Sequence, residues 1–193
     1  MTVMRDQVVK QLVQVEAKPN ENGLIPAFNV LVNQLPWTFW NTVAERMMAI
    51  TPPERKAEMD AALVNCAYEC GYHTGYGIVT SPEFESVVTP MVTEGAKDVL
   101  RGAFAVFTAW GWAKSGIVQI KEGDSMTIRA VDYYEAESGG DGKRAFMIRG
   151  VSKAFMELAY AAPYPNGMRT FECDQTRGIE AGDQFGEFVV TKK

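Results

Sequence analysis

The spacing of apolar and polar positions changes character along this chain, and each change marks an element. Residues 2–16 carry Val3, Val8, Val9, Leu12, Val13 and Val15 among charged and amide side chains. That pattern predicts a short amphipathic helix, or an arm lying on a partner, ended by Pro19-Asn20-Glu21-Asn22-Gly23. After Leu35-Pro36, the residues Trp37, Trp40, Ala44, Met47 and Met48 fall near one face of a helix reaching Ile50, an aromatic-rich face directed inward. Thr51-Pro52-Pro53-Glu54 reads as a capping box, the Thr hydroxyl satisfying free amides at the start of a long helix to about Val79. Inside it Gly71 and Gly75 each cost about 1 kcal/mol of helix propensity relative to Ala, which points to close approach of another backbone or a ligand. Ser81-Pro82-Glu83 opens the next helix, and Thr89-Pro90 restarts it as far as about Thr108.

The period then shortens. Ile117, Ile120, Met126, Ile128, Ala130 and Val131 flank the polar turn Lys121-Glu122-Gly123-Asp124, which predicts an antiparallel hairpin. Ser138-Gly139-Gly140-Asp141-Gly142 reads as an exposed, flexible loop. Residues 144–161 return to a helical pattern, stopped by Pro163 and Pro165, and strands over about 168–177 and 184–191 make a terminal hairpin. The order of helices, hairpin, helix, hairpin predicts an α+β fold, a single antiparallel sheet packed against several helices, rather than a doubly wound parallel sheet. Residues 1–50 are expected to be a helical extension packed on a domain of residues 51–193.

Composition narrows the function classes. The 193 residues are 47% hydrophobic and 22% charged, enough for a core with room for an internal pocket. A net charge of −5 argues against a phosphate-binding surface, so nucleic acid is set aside. No apolar run approaches the roughly 18 residues of a membrane span, and the N-terminus lacks a signal's apolar segment, so the expected location is the cytoplasm. Three cysteines form no disulfide framework and are expected as reduced thiols.

The closing stretch Gly178-Ile179-Glu180-Ala181-Gly182-Asp183-Gln184-Phe185-Gly186-Glu187-Phe188 resembles the last hairpin of the 4-vinyl reductase-like domains, typically Cys-x-Ala-x-Gly-Asp-x-x-Cys-x-Phe. The glycine-bearing helix at residues 71–77, Trp110-Gly111-Trp112 before the first hairpin, and Arg149-Gly150-Val151 are similar too, so the resemblance spans roughly residues 60–191. It implies a module related to hydrocarbon-binding and trafficking proteins, one that binds a small or hydrophobic molecule between sheet and helices, often as a homodimer. With no neighbouring domain in the chain, it would act as a stand-alone module. The family's cysteines, where present, can hold a metal or persist as a thiol pair. Gly178 and Gly186 supply no donor, so neither a metal nor another cofactor is expected.

Candidate site residues follow. Trp37, Trp40, Tyr72, Tyr76, Trp110, Trp112 and Phe146 are candidate walls, from an aromatic set that also includes Phe39, Tyr133 and Tyr134 and is equally suited to core or dimer seam. His73 and Arg149 are candidate polar anchors. Arg149 lies in an apolar helical stretch and must meet a carboxylate, from a ligand or from the protein, with Glu172 and Asp174 as candidates. Cys66, Cys70 and His73 share a helical face at i, i+4 and i+7, and Cys173 would complete a Cys₃His set. The spacing is wrong for a usual zinc knuckle, and the same residues suit core or pocket lining. Phosphate loops, dinucleotide fingerprints and nucleophile elbows are missing. The leading expectation is small-molecule binding or sensing. The alternatives are a reductase- or hydrolase-like enzyme using Cys70, His73 and Cys173, and a protein-docking accessory subunit using the N-terminal arm.

Overall fold

Every residue from 146 to 157 is buried, because the helix α6 (Phe146–Tyr160) lies between a sheet on one side and a second helix on the other. The computed structural model describes residues 2–12, 17–33, 35–137 and 145–193; Val13, Val15 and the loop motif 138–142 fall outside them. Preceding α6 are α1 (Thr2–Leu12), the short strands β1 (Ile25–Ala27) and β2 (Val30–Val32), and the helices α2 (Trp37–Ile50), α3 (Lys56–Val79), α4 (Pro82–Val87) and α5 (Ala96–Ala109). The hairpin β3 (Ala113–Lys121) and β4 (Ser125–Tyr133) follows α5, while β5 (Phe171–Arg177) and β6 (Gly186–Lys192) close the chain. The α+β architecture read from the sequence is the one observed: an antiparallel four-stranded sheet, order β3-β4-β6-β5, packed against helices, with β1 and β2 forming a separate pair.

The sheet's inner face and helices α5 and α6 build the main core, in which Phe104, Met126, Ile128, Ile148, Met156, Phe171 and Phe188 are almost wholly buried. A second cluster joins α1 and the β1–β2 hairpin to α4 and α5 around Val8, Phe28, Phe84, Val88 and Val106. Helix α1 and the β1–β2 hairpin are thereby packed against α4 and α5.

Helix α3 covers the outer side of α6, and glycine sets the separation. A Cβ added at Gly150 would lie 2.6 Å from Val64 O and from Tyr68 N, and one at Gly71 would lie 3.2 Å from Val151 Cα. Close helix approach is therefore what Gly71 provides. A polar seam runs through this contact: Arg149 meets Asp60, the Lys153 ammonium sits 3.9 Å above the Tyr68 ring, and Tyr68 donates to Glu157.

Several local expectations are corrected. Thr51 does not cap α3; its hydroxyl donates to the Met47 carbonyl at 2.6 Å and closes α2, and a 3₁₀ turn over Pro53–Arg55 leads into α3. On α2 the inward face is narrower than the spacing suggests. Trp40 and Ala44 pack on the main core and Asn41 is buried, donating to the Tyr134 carbonyl, but Trp37 and Met47 are exposed. The helix restarted at Thr89-Pro90 is only a 3₁₀ turn; α5 begins after Gly95, at φ +59°. Ser81 caps α4 as expected, accepting from Phe84 N at 3.1 Å.

Candidate functional site

Two tryptophans one residue apart are sent in different directions by the corner between α5 and β3. Gly111 takes φ +77°, Trp112 N bonds the Phe107 carbonyl at 3.2 Å, and Thr108 Oγ1 bonds the Ala113 carbonyl at 2.7 Å. The left-handed step at Gly111 ends α5 and starts the strand within a few residues. Trp110 turns to the N-terminal cluster and meets Phe28 edge-on at 5.1 Å. Trp112 stacks on Phe107 at 5.9 Å and takes Tyr134 edge-on at 5.7 Å.

Trp112 stands in the wall of an open cleft of about 570 Å³. Trp37, the first residue of α2, lines it as a second indole, with Tyr133 at the end of β4 and Tyr134 just after it. Helix α1 closes one side with Val9. Around these surfaces stand three cations, Arg5, Lys10 and Lys114, and three carboxylates, Asp6, Asp132 and Glu137, so net charge selects neither an anion nor a cation. Arg5 is already paired with Asp6 at 3.0 Å.

The two tyrosines differ in how their hydroxyls are satisfied. Tyr133 donates to Glu180 and accepts from Ile179 N at 2.9 Å, and burial, reinforced by Glu180, pushes its pKa up. The Tyr134 hydroxyl is buried with no hydrogen-bond partner among the described residues, and burial raises its pKa as well. Next to it, Glu135 accepts from Met147 N at 2.9 Å and Ile148 N at 3.2 Å, capping α6 from another element. Burial pushes its carboxyl up to about 7, against the pull of those amides and of Arg149.

Of the residues singled out in the sequence, the cleft gathers Trp37 and Trp112, together with Tyr133 and Tyr134 of the wider aromatic set. Trp40 and Phe146 lie in or against the main core, and Trp110 in the second cluster. Tyr72, His73 and Tyr76 form a separate group on α3 around Tyr164. Tyr76 stacks on Tyr164 with centroids 3.9 Å apart, His73 Nδ1 lies 2.9 Å from its hydroxyl, and the buried Tyr72 hydroxyl accepts from Gly167 N at 3.1 Å. This group pins the loop between α6 and β5 to α3.

Arg149 meets a carboxylate, but on α3: its guanidinium forks onto Asp60 and its Nε donates to the Ala145 carbonyl at 2.9 Å. Cys66 and Cys70 are exposed on α3, whereas Cys173 is buried in the core, its thiol pushed up to about 12 by burial. The four residues of the imagined Cys₃His set are thus not brought together, and among the described residues no cluster of three metal-binding side chains occurs. The cleft members Lys114 and Asp132 carry no motif. Counting the hairpin register outward from the Gly123 turn does place Tyr133 opposite Ala113 and Asp132 opposite Lys114.

Among the described residues no helix is long and apolar enough to cross a membrane. No family model matches this chain, and no curated protein matches it in sequence. Solved structures do match in fold. The phenol-responsive sensory domain of the transcription activator PoxR, crystallised with phenol, superposes with a TM-score of 0.72 over 100% of this chain and 91% of its own, at 11% identity. A trafficking protein particle complex subunit 3 from Naegleria fowleri, covalently bound to palmitic acid, superposes with a TM-score of 0.56 over 81% of this chain and 92% of its own, at 14% identity. The chain shares the fold of a ligand-binding sensory domain.

Proposed function

We propose that this protein binds or senses a small, partly apolar and uncharged molecule in the cleft between α1, Trp37, Tyr133 and Tyr134. The observation that carries the reading is the cleft itself, lined by Trp37, Trp112, Tyr133 and Tyr134 and rimmed by balanced charge. Aromatic faces favour a flat apolar body, and a rim without net charge gives no premium to an ion. The fold shared with a phenol-responsive sensory domain supports the same class of ligand. Membership of the 4-vinyl reductase-like family is part of this proposal, as are a cytoplasmic location and assembly as a homodimer. Exposed Phe39, Met47 and Ile50, spaced along one side of α2, would supply an apolar stripe for a second copy.

Two measurements test the reading. Titration of phenol and related neutral aromatics, followed by tryptophan fluorescence, is expected to saturate in the native chain and to weaken at least tenfold in Trp112→Ala. Light scattering after size exclusion is expected to give twice the mass of the chain, and a monomer after Phe39→Glu with Ile50→Glu.

A further inference from the structure

The terminal hairpin is where the family resemblance would put two cysteines, and other groups fill both places. A Cβ built on Gly186 lies 2.8 Å from Tyr133 Cε1 and 2.9 Å from its Oη. One built on Gly178 lies 2.6 Å from Gln175 Nε2 and 2.8 Å from Glu180 Oε1. Distances under about 3 Å leave no room for a side chain unless the neighbours move, and these neighbours are tied to one another. The Tyr133 hydroxyl donates to Glu180 and accepts from Ile179 N at 2.9 Å. Gln175 Nε2 donates to the other Glu180 oxygen at 2.6 Å and to the Arg177 carbonyl at 3.1 Å, and Gln175 Oε1 accepts from Ala145 N at 2.8 Å. Asp183 closes the turn by accepting from Gly178 N at 2.9 Å.

This set contains no thiolate and no imidazole, and its phenol, carboxylate and amide are already hydrogen-bonded to each other. It does not fit the metal that a cysteine pair would hold. It does join three segments distant in sequence: the end of β4, the turn between β5 and β6, and Ala145, the residue before α6. Its first member, Tyr133, is also a wall of the cleft.

We propose that Tyr133, Glu180 and Gln175 form a metal-free clasp, which positions Tyr133 in the cleft wall and couples occupancy of the cleft to the terminal hairpin and the start of α6. Tyr133 is 3% exposed, so loss of Glu180 leaves a buried hydroxyl without its acceptor, a cost shared by every member bonded to Glu180. The coupling rests on the cleft reading given above; the clasp stands without it.

Hydrogen–deuterium exchange on the full chain separates the two parts. In Tyr133→Phe, the amides of Ala145, Gly178 and Ile179 are expected to exchange about tenfold faster or more. Gln175→Ala, on a half-buried residue and less prone to misfold, is expected to act alike at Ala145. Tyr134→Phe, which removes the neighbouring hydroxyl that has no partner, is expected to leave these amides unchanged, and EDTA is expected to leave the native chain unchanged. Unchanged amides in Tyr133→Phe and Gln175→Ala, or slowing by zinc reversed by EDTA, would overturn the clasp. With phenol as probe, saturable binding is expected to slow exchange at Gly178 and Ile179 in the native chain and not in Tyr133→Phe. Binding without that slowing would overturn the coupling and leave the cleft reading intact. Absence of binding by phenol and by the related neutral aromatics would remove cleft reading and coupling together, while the variant amides would still judge the clasp.

Discussion

Arg149 of α6 and Asp60 of α3 meet fork to fork, Nη1 standing 2.9 Å from Oδ2 while Nη2 closes on Oδ1. The Arg149 side chain is 5% exposed, and its hydrogen bonds go to this carboxylate and to the Ala145 carbonyl. Asp60→Ala is expected to destabilise the fold by about 3 kcal/mol, because it strands a buried guanidinium. The double variant Asp60→Leu with Arg149→Met is expected to recover most of that loss, which urea denaturation would reveal.

Glu157 anchors the chain's return from α6 to β5. Its carboxylate is wholly buried, takes the Tyr68 hydroxyl, and accepts from Thr170 N at 2.8 Å and Phe171 N at 3.1 Å. Tyr68→Phe is expected to cost about 1–2 kcal/mol, and Glu157→Leu more than about 3 kcal/mol because three donors then lack an acceptor. A double-mutant cycle is expected to show coupling of about 1–2 kcal/mol between the two residues.

Gly150 shows how little space separates α3 from α6. Alanine there would raise helix propensity by about 1 kcal/mol, but its methyl meets Val64 O and Tyr68 N at 2.6 Å. Backbone cannot step aside as a side-chain tip can, so Gly150→Ala is expected to lose about 2–3 kcal/mol net, read as a lower melting temperature.

Glu135 should leave a signature in the pH dependence of stability. Its carboxyl is pushed up to about 7 by burial, well above the ordinary glutamate value, so the folded chain holds this proton more tightly than the unfolded chain does. The corresponding stabilisation is complete below about pH 4.5 and is lost as pH rises through about 7, on the order of 3 kcal/mol. Glu135→Gln is expected to flatten that decline between pH 4.5 and 7, measured by denaturation across the range. Asp98 acts in the opposite sense at lower pH. Burial raises its pKa, but the Thr93 and Glu94 amides and Arg101 outweigh that and hold it below the usual range, so its contribution is lost on acidification.

What could be read in the sequence follows from how locally each signal is encoded. The β3–β4 hairpin was legible because the period shortens around Gly123, and even its register can be counted. Two bulges, with extra residues at Val118 on β3 and Val131 on β4, cancel before Ala113 reaches Tyr133. The β1–β2 hairpin left no such signal: three-residue strands containing Pro26, joined by Phe28 and Asn29 at positive φ, carry no alternation. Trp37 and Trp112 were legible as wall candidates by residue type, but the same argument named Trp110. Only the left-handed step at Gly111, a three-dimensional event, separates one indole from the other. Arg149 was legible as a residue in need of a carboxylate. Its partner Asp60 lies 89 positions away, and no spacing rule reaches that far.

Which surface receives the ligand is reported directly by the chain's four tryptophans, Trp37, Trp40, Trp110 and Trp112. The measurement is NMR of the indole N–H signals during titration with phenol, catechol, indole and benzoate. The account predicts that a neutral member of the set shifts Trp37 and Trp112 saturably while Trp40 and Trp110 stay in place. Saturable shifts confined to Trp40 or Trp110, or no saturable shift with any of the four, would contradict it.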